Sequence, residues 1–265
     1  MSRSDAERRL RRILPVMIAI LALACPGRPA RGNPPRPGER LVHLNGESLD
    51  VTWDMMTRTP RTITAVGSDL LEVKNIASLS RREINEIGGV LAGKYAALLN
   101  VWPDQLVLKK AEKTEGSWYV SYQQAVRGIG VYGSSLGFSI GPDGRIKSLG
   151  ALLYPDAQVP AAPGIQRGKA LKIALESLAD PDKSGYRVLS ENLAIYPVRK
   201  AASIDYRRVH IFNIFPRKAT HPASAADGWA VFVDTRTGEI VHHEAVLKPL
   251  GCCLPGGQVS DGTGK

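Results

Sequence analysis

Apolar and polar positions alternate through the segment 117–150, SWYVSYQQAVRGIGVYGSSLGFSIGPDGRIKSLG. Successive side chains of a strand point to opposite faces, so this alternation predicts an antiparallel sheet with one buried face. We expect three strands joined by two short turns. Gly128 and Gly130 flank the first reversal, around Ile129, and G-P-D-G at 141–144 supplies the second. The inward positions are Trp118, Val120, Tyr122, Leu136, Phe138 and Ile140.

The segment from Ser80 to Asn100, which precedes these strands in the chain, repeats apolar residues with the period of a helix. Ser80 and Glu83 have the S-x-x-E spacing of a capping box, which satisfies two backbone donors at the start of a helix. One apolar stripe follows, and Tyr95 within it is expected to be a core residue with a polar tip. Three glycines in the helix indicate close packing on a sheet. The stripe is Ile84, Ile87, Leu91, Tyr95 and Leu98, and the glycines are Gly88, Gly89 and Gly93.

A second unit of the same order follows a linker at 156–164. A helix is predicted over Lys169–Ala179, with Leu171, Ala174, Leu175 and Leu178 on one face. Strands are predicted at 186–197, 204–215 and 229–233. A turn from Asp234 to Glu239 leads into a further strand-like segment. Near the start of the ordered sequence, 51–67 is predicted to be strand and turn, with Pro60 marking the break.

The N-terminus has the features of a targeting segment. Four arginines precede a short apolar run from Ile13 to Ala24, which is too short to span a membrane. Ala22-Leu23-Ala24 suits signal-peptide cleavage, and Cys25 directly after it also suggests bacterial lipoprotein processing. We expect a secreted or periplasmic protein, with membrane attachment only if Cys25 carries a lipid.

Charge adds little to this picture. The net charge of the 265-residue chain is +10, but 1–24 carry five Arg against Asp5 and Glu7, and 25–40 carry four Arg against Glu39. The remaining 41–265 therefore carry only +4, with scattered basic residues and no basic stripe interleaved with aromatics. We expect no nucleic-acid partner.

No catalytic constellation emerges from the sequence. A zinc peptidase would need H-E-x-x-H on a helix, and His242-His243-Glu244 has the wrong spacing in a strand-like segment. The G-x-G-x-x-G at 128–133 lies between strands and does not open a helix. Asp143 and Asp234 fall in turns, and Gln123 and Gln124 point to opposite faces of one strand. We therefore expect no catalytic residue, no cofactor and no bound metal.

Specific motifs suggest a family. The string QQAVRGIGVYGSSLGFSIGPDGRIKSL resembles the fungalysin/thermolysin propeptide (FTP) domain, and VTWDMMTRTPR at 51–61 resembles the W-D-x-x-T-G-x-P-R strand ahead of its core. Arg58 stands where that family commonly has Gly. In the second half, LAIYP at 193–197 and WAVFVD at 229–234, with TGEI at 237–240, resemble a PepSY-type module.

The resemblance implies an α+β fold of two modules, which are cystatin-like halves that each pack a helix on an antiparallel sheet. It also implies a protein that binds, inhibits or assists folding of a zinc metallopeptidase, in cis or in trans. Two alternatives are an N-terminal fragment of a secreted metallopeptidase precursor and a periplasmic or surface binding module. The expected segments are a signal peptide 1–24, a linker 25–40, an FTP-like domain 41–154, a linker 155–165, a PepSY-like domain 166–248 and a tail 249–265.

The tail is the expected junction with a protease. Lys248 to Lys265, KPLGCCLPGGQVSDGTGK, is rich in glycine and lacks apolar periodicity. Zinc accepts thiolate ligands readily, so Cys252 or Cys253 is a candidate ligand to the zinc of a bound peptidase. If this hypothesis is wrong, replacing both cysteines by serine will leave inhibition unchanged.

Overall fold

Strands dominate the computed structural model, which describes residues 36–160, 164–178, 185–216 and 228–246. Within these residues there are fourteen strands, three α-helices and two single 3-10 turns, at Ile76–Ser78 and Pro103–Gln105. This confirms the α+β class, with a large, mostly antiparallel sheet and few helices. The division into two cystatin-like modules stays a prediction.

The helices and strands have the following bounds. The helices are α1 (Arg81–Lys94), α2 (Ala96–Leu99) and α3 (Arg167–Glu176). The first ten strands are β1 (Leu41–Leu44), β2 (Glu47–Asp54), β3 (Thr59–Ala65), β4 (Leu71–Glu72), β5 (Leu106–Thr114), β6 (Ser117–Val126), β7 (Ile129–Val131), β8 (Ser135–Ile140), β9 (Arg145–Ile146) and β10 (Ser148–Leu152). The last four are β11 (Tyr186–Arg199), β12 (Ile204–Pro216), β13 (Gly228–Asp234) and β14 (Ile240–Val246).

Twelve of these strands share one hydrogen-bonded sheet, in the order β1-β2-β3-β10-β8-β6-β7-β11-β12-β13-β14, with β5 paired to β6 as well. Strands β4 and β9 form a separate two-stranded ribbon. Every pairing is antiparallel except that of β7 with β11, where Gly130 lies opposite Ala194 and Val131 opposite Ile195. This short parallel pairing makes the two predicted sheets continuous.

Helix α1 begins as the sequence predicts. The Ser80 hydroxyl accepts the Glu83 amide at 3.3 Å, and the Glu83 carboxylate accepts the Ser80 amide at 2.7 Å. The prediction of one continuous helix is wrong at its C-terminal end. In the structure α1 ends at Lys94, the chain breaks helical geometry at Tyr95, and the short α2 follows. Tyr95 is fully buried and donates to Glu47 at 2.9 Å, which confirms a core residue with a polar tip.

The first core lies between α1, α2 and one face of the sheet. Four members of the predicted stripe, Ile84, Leu91, Tyr95 and Leu98, are buried there, and Ile87 packs against them. Of the three helix glycines, Gly88 alone touches the sheet closely, because a Cβ built on it would overlap the Tyr122 ring. A Cβ on Gly89 would meet nothing within 4 Å, so the close-packing prediction is wrong there.

Two predicted turns lie elsewhere. The reversal after β6 is formed by Arg127 and Gly128, at φ 50° and 78°, and Ile129 already belongs to β7. Pro60 does not end the strand, because it pairs with Trp53 inside the β2–β3 hairpin, but it lies beside a shift in the pairing register between Thr52 and Trp53. In contrast, the turn at 141–144 is confirmed by the bond from the Gly144 amide to the Gly141 carbonyl at 2.9 Å.

The second core lies between α3 and the strands β12 and β13. Its buried members are Ile165, Ala170, Ala174, Leu178, Phe212, Ile214, Val231 and Val233. The buried face of α3 is therefore centred on Ala170 and Ala174, with Leu178 buried just after the helix, while Leu171 and Leu175 of the predicted face are only partly buried. Two alanines allow the helix axis to approach the sheet closely.

The same aspartate-capped hairpin turn occurs twice in the chain. Oδ1 of Asp54 accepts the amides of Met56 and Thr57 at 2.9 and 3.1 Å. Oδ1 of Asp234 accepts the amides two and three residues further on, at 2.7 and 3.0 Å. Each aspartate also accepts an arginine on Oδ2, at 3.1 Å in both turns. The two halves therefore share a D-x-x-T turn that their sequences barely reveal.

The fifth residue of each turn has left-handed backbone geometry, and here the two copies differ. Gly238 has φ 80° and Arg58 has φ 55°. Left-handed geometry costs a non-glycine residue roughly 1–2 kcal/mol, and glycine little. We expect Arg58→Gly to raise the free energy of unfolding by about 1 kcal/mol in chemical denaturation. Arg58→Ala, which keeps the Cβ, is the matched control and will leave stability unchanged within about 0.5 kcal/mol.

Candidate interaction surface

One face of the first part of the sheet is open to solvent. Opposite the face that carries α1, a row of residues in register crosses six strands, from β2 through β3, β10, β8 and β6 to β5. From β2 to β6 no residue in this row is larger than threonine. The row is Thr52, Thr62, Gly150, Gly137, Ser121 and Lys110.

The row contains a trough where Gly150 and Gly137 lie directly opposite each other. A groove of about 390 Å³ lies over this trough, between Lys110 on one side and Ser148 on the other. Tyr119 forms part of its wall and is 53% exposed. An exposed aromatic ring beside a shallow groove is a feature typical of protein interfaces.

Neither glycine is required by the fold. Both have ordinary strand backbone, since neither is among the residues with positive φ. A Cβ on Gly137 would lie 3.5 Å from the Val120 carbonyl oxygen, and one on Gly150 would lie 3.9 Å from that of Arg61, which are ordinary contacts. Glycine inside a strand weakens it and often marks a bulge, a tight bend or a place where a ligand or another backbone approaches closely. No bulge falls at either glycine. The trough is therefore a candidate contact site.

A second group of contacts fixes the two parts of the sheet at their junction. Gln124 is fully buried and makes two bonds with the backbone of Tyr154, donating to its carbonyl and accepting from its amide, each at 2.9 Å. Gln123, on the opposite face, is partly buried, which confirms the prediction that at most one of the pair is buried. Tyr154 packs with Val131 and Ile195 in a small core where β7 meets β11.

Asp54 adds a charged link at the same junction. Its Oδ2 accepts Arg61 of β3 at 3.1 Å and Arg199 of β11 at 3.3 Å. Burial alone raises the pKa of Asp54. The Thr57 amide, Arg61, the Met56 amide and the charge of Arg199 outweigh that effect and lower the pKa to about 2. Asp54 is therefore ionised and holds β2, β3 and β11 together.

Tyr132, which follows β7, reaches across to the last strand. Its hydroxyl donates to Glu244 at 2.7 Å, and His242 lies 3.2 Å from the other oxygen of that carboxylate. The rings of Tyr132, Tyr196 and His242 surround Phe232, with centroid distances of 4.9 to 5.1 Å. Burial and the Glu244 carboxylate raise the pKa of Tyr132. This cluster ties the β7–β8 turn to β14.

His242 and His243 point to opposite faces, as predicted. His242 stacks on Tyr196, and His243 stacks on Trp229 with centroids 4.7 Å apart. In the part of the chain that the structure describes, no group of three or more His, Cys, Asp or Glu residues could hold a metal ion. Among the same residues, no helix combines the length and the hydrophobicity that a membrane crossing requires.

The site residues predicted from the sequence, Ala24, Cys25, Cys252 and Cys253, lie outside the described residues. The open face and the glycine trough lie within residues 41–154, and the junction joins this part of the chain to β11. Sequence reasoning missed these because outward-facing Ser, Thr and Gly resemble any solvated strand face. A signal was present in the two mid-strand glycines of S-L-G-F-S and S-L-G-A-L, at 135–139 and 148–152.

Comparisons with known proteins do not place the chain in a family. No protein-family model matches it, and no curated protein matches it. Among solved structures it is similar to the Bacillus megaterium YpeB C-terminal domain, at 15% sequence identity and a TM-score of 0.38, over 76% of this chain and 77% of that one. A likeness this distant does not indicate a shared function, and the FTP and PepSY resemblance stays a prediction.

Proposed function

We propose that this protein is an exported, propeptide-like binding protein that restrains or helps to fold a zinc metallopeptidase, in cis or in trans. The glycine trough on the open sheet face is the observation that carries the proposal. It is a candidate contact surface whose two glycines the internal packing does not require, and it lies within 41–154, the part of the chain that resembles the FTP domain. The resemblance suggests the class of partner, and the trough is the contact site that we propose for it.

The size of the open face is adequate for this role. Six neighbouring strands, each about 4.8 Å wide in the plane of the sheet and about six residues long, cover roughly 29 Å by 20 Å. That area, on the order of 600 Å², is close to one partner's share of a stable interface, which is roughly 600–1,000 Å². The junction contacts of Gln124, Asp54 and Tyr132 favour binding, because a platform that is already ordered loses less entropy when a partner docks.

The test uses the purified chain and a thermolysin-like enzyme. We expect the chain to lower the peptidase activity of the folded enzyme, to raise its yield on refolding, or both, at close to stoichiometric amounts. Binding measured by calorimetry separates a weak effect from none. If an excess of the chain leaves activity and refolding yield unchanged and no binding is detected, a zinc metallopeptidase of this type is not the partner.

Filling the trough should weaken the complex without harming the fold. Gly137→Ala with Gly150→Ala adds two methyl groups that the fold accommodates, and strand alanine is at least as stable as glycine. We expect the dissociation constant to rise about tenfold or more, since poorly fitting groups at the centre of an interface cost over 1 kcal/mol. The melting temperature should stay equal or rise.

A matched control is Gly168→Ala on α3, where an added Cβ meets nothing within 4 Å. It makes the same chemical change outside the trough and should leave affinity unchanged. If the trough variant and this control bind with equal affinity, the trough is not part of the interface, even if the chain still binds the peptidase.

A further inference from the structure

A polar cleft of about 180 Å³ lies where the linker between the two halves passes β12 and the β13–β14 turn. Pro160 lines it from the linker, and Tyr206, Arg208 and Arg236 line it from the sheet and the turn. Three arginines and two aspartates line the cleft, which leaves one excess positive charge. It is separate from the glycine trough and shares no residue with it.

Both aspartates of the cleft are already neutralised. Arg207 donates to Asp205 at 2.8 Å through Nε and to Asp234 at 3.1 Å through Nη1. Lys200 lies 3.5 Å from Asp205 as well. The other oxygen of Asp234 accepts the two backbone amides of its turn. The Glu239 carboxylate also lies 3.7 Å from Arg207, so with Lys200 and Glu239 counted the excess is still one positive charge. Arg208 and Arg236 are the two cations of the cleft that form no ion pair among the described residues.

Arg208 has a donor without an acceptor. Its Nε is buried, and among the described residues nothing accepts a hydrogen bond from it. A buried charged donor that lacks a partner is unfavourable, and native proteins pair such groups with protein, water or a bound ion. Arg236 is exposed at the rim, in the turn that Asp234 caps. Arg208 on β12 and Arg236 in the β13–β14 turn therefore both line this cleft.

We propose that this cleft binds a single oxyanion group through Arg208 and Arg236. The planar, forked guanidinium matches the two oxygens of a carboxylate or a phosphate. Cavities for whole small-molecule ligands run to roughly 300–1,000 Å³, so about 180 Å³ accommodates one anionic group and not a complete metabolite. The anion is either the side chain of an acidic residue in a bound peptide or a free inorganic oxyanion.

The Nε–H signal of Arg208 gives a direct readout. The full chain, labelled with nitrogen-15, is titrated with inorganic phosphate or with a short glutamate-containing peptide, while chloride keeps the ionic strength constant. We expect the Arg208 Nε–H resonance, assigned by its loss in Arg208→Gln, to shift and saturate. Saturation by the peptide, reversed by phosphate, identifies a peptide carboxylate as the ligand, and saturation by phosphate alone identifies a free oxyanion.

Two variants separate binding from general charge effects. Arg236→Gln removes an exposed side chain and should fold normally, so it tests the site even if Arg208→Gln does not fold. We expect it to weaken anion affinity about tenfold or more. Arg82→Gln on α1 removes the same charge from an exposed ion pair far along the sequence and should not change affinity. The proposal is overturned if the resonance shift never saturates, or if Arg236→Gln and Arg82→Gln bind the anion with equal affinity. Water is then the partner of the Arg208 Nε.

Discussion

Replacing Asp54 by asparagine is expected to lower the free energy of unfolding by about 3 kcal/mol. The side chain is 4% exposed and accepts four donors, two from the backbone of its own turn and two from the arginines Arg61 and Arg199. Asparagine keeps the shape but removes the charge and one acceptor oxygen, which leaves two guanidinium groups without their counter-ion. Breaking a buried pair in this way costs roughly 3–5 kcal/mol, and the exposure of the arginines places the effect at the lower end.

The matched control is Asp50→Asn, four residues earlier on the same strand. Asp50 pairs with the exposed Arg40 and is itself 39% exposed. Exposed ion pairs contribute roughly 0–1 kcal/mol, so this variant should unfold at nearly the wild-type denaturant concentration. Equal destabilisation by the two changes would show that Asp54 does not hold the junction.

The low pKa of Asp54 also predicts how the free energy of unfolding falls at acid pH. Its pKa in the folded protein is about 2, below the ordinary value of about 3.9 in an unfolded chain. The folded state therefore binds fewer protons, so the contribution is complete above about pH 4 and is lost as the pH falls towards 2. This loss amounts to about 2 kcal/mol. The stabilities of wild type and Asp54→Asn should converge over that range, and parallel curves would contradict the assigned pKa.

Local features of the fold could be predicted because each depends on neighbouring residues. The capping box of α1, the stripe that faces the sheet and the alternation of β6 and β8 each depend on residues a few positions apart in the sequence, and the structure confirms them. The Asp234 turn was predictable for the same reason. The break of the helix at Tyr95 could not be predicted, because no helix-breaking residue marks it. The backbone there has φ −107° and ψ 14°, and we attribute this to the packing of the buried Tyr95 ring.

Long-range features could not be predicted from the sequence. The parallel pairing of β7 with β11 involves two residues on each strand, about 64 positions apart, and no local pattern encodes so short a contact. The Asp54–Arg199 pair likewise joins residues that are far apart in sequence, 145 positions from each other. The repeat of the D-x-x-T turn was hidden for another reason. Arg58 replaces the glycine that would have marked the first copy, and its strain shows only in the backbone angles.

Gly88→Ala is expected to destabilise the protein by about 2 kcal/mol, although alanine is the better helix residue. A Cβ at this position would overlap the Tyr122 hydroxyl and ring. Tyr122 cannot move aside easily, since it is 4% exposed and its hydroxyl donates to the Ile84 carbonyl at 3.2 Å. Overpacking a filled core costs roughly 1–3 kcal/mol, which exceeds the gain of up to about 1 kcal/mol from helix propensity. Chemical denaturation measures the difference.

Gly89→Ala is the control that isolates the clash, because it makes the same change one residue further along the same helix. An added Cβ meets nothing within 4 Å there, so we expect it to stabilise by about 0.5–1 kcal/mol. The signs of the two alanine variants should therefore be opposite. Tyr122→Phe removes the hydroxyl and should recover part of the loss in Gly88→Ala, and the double-mutant cycle gives that coupling. Additive effects of the two changes would mean that α1 is not held at its distance from the sheet by this contact.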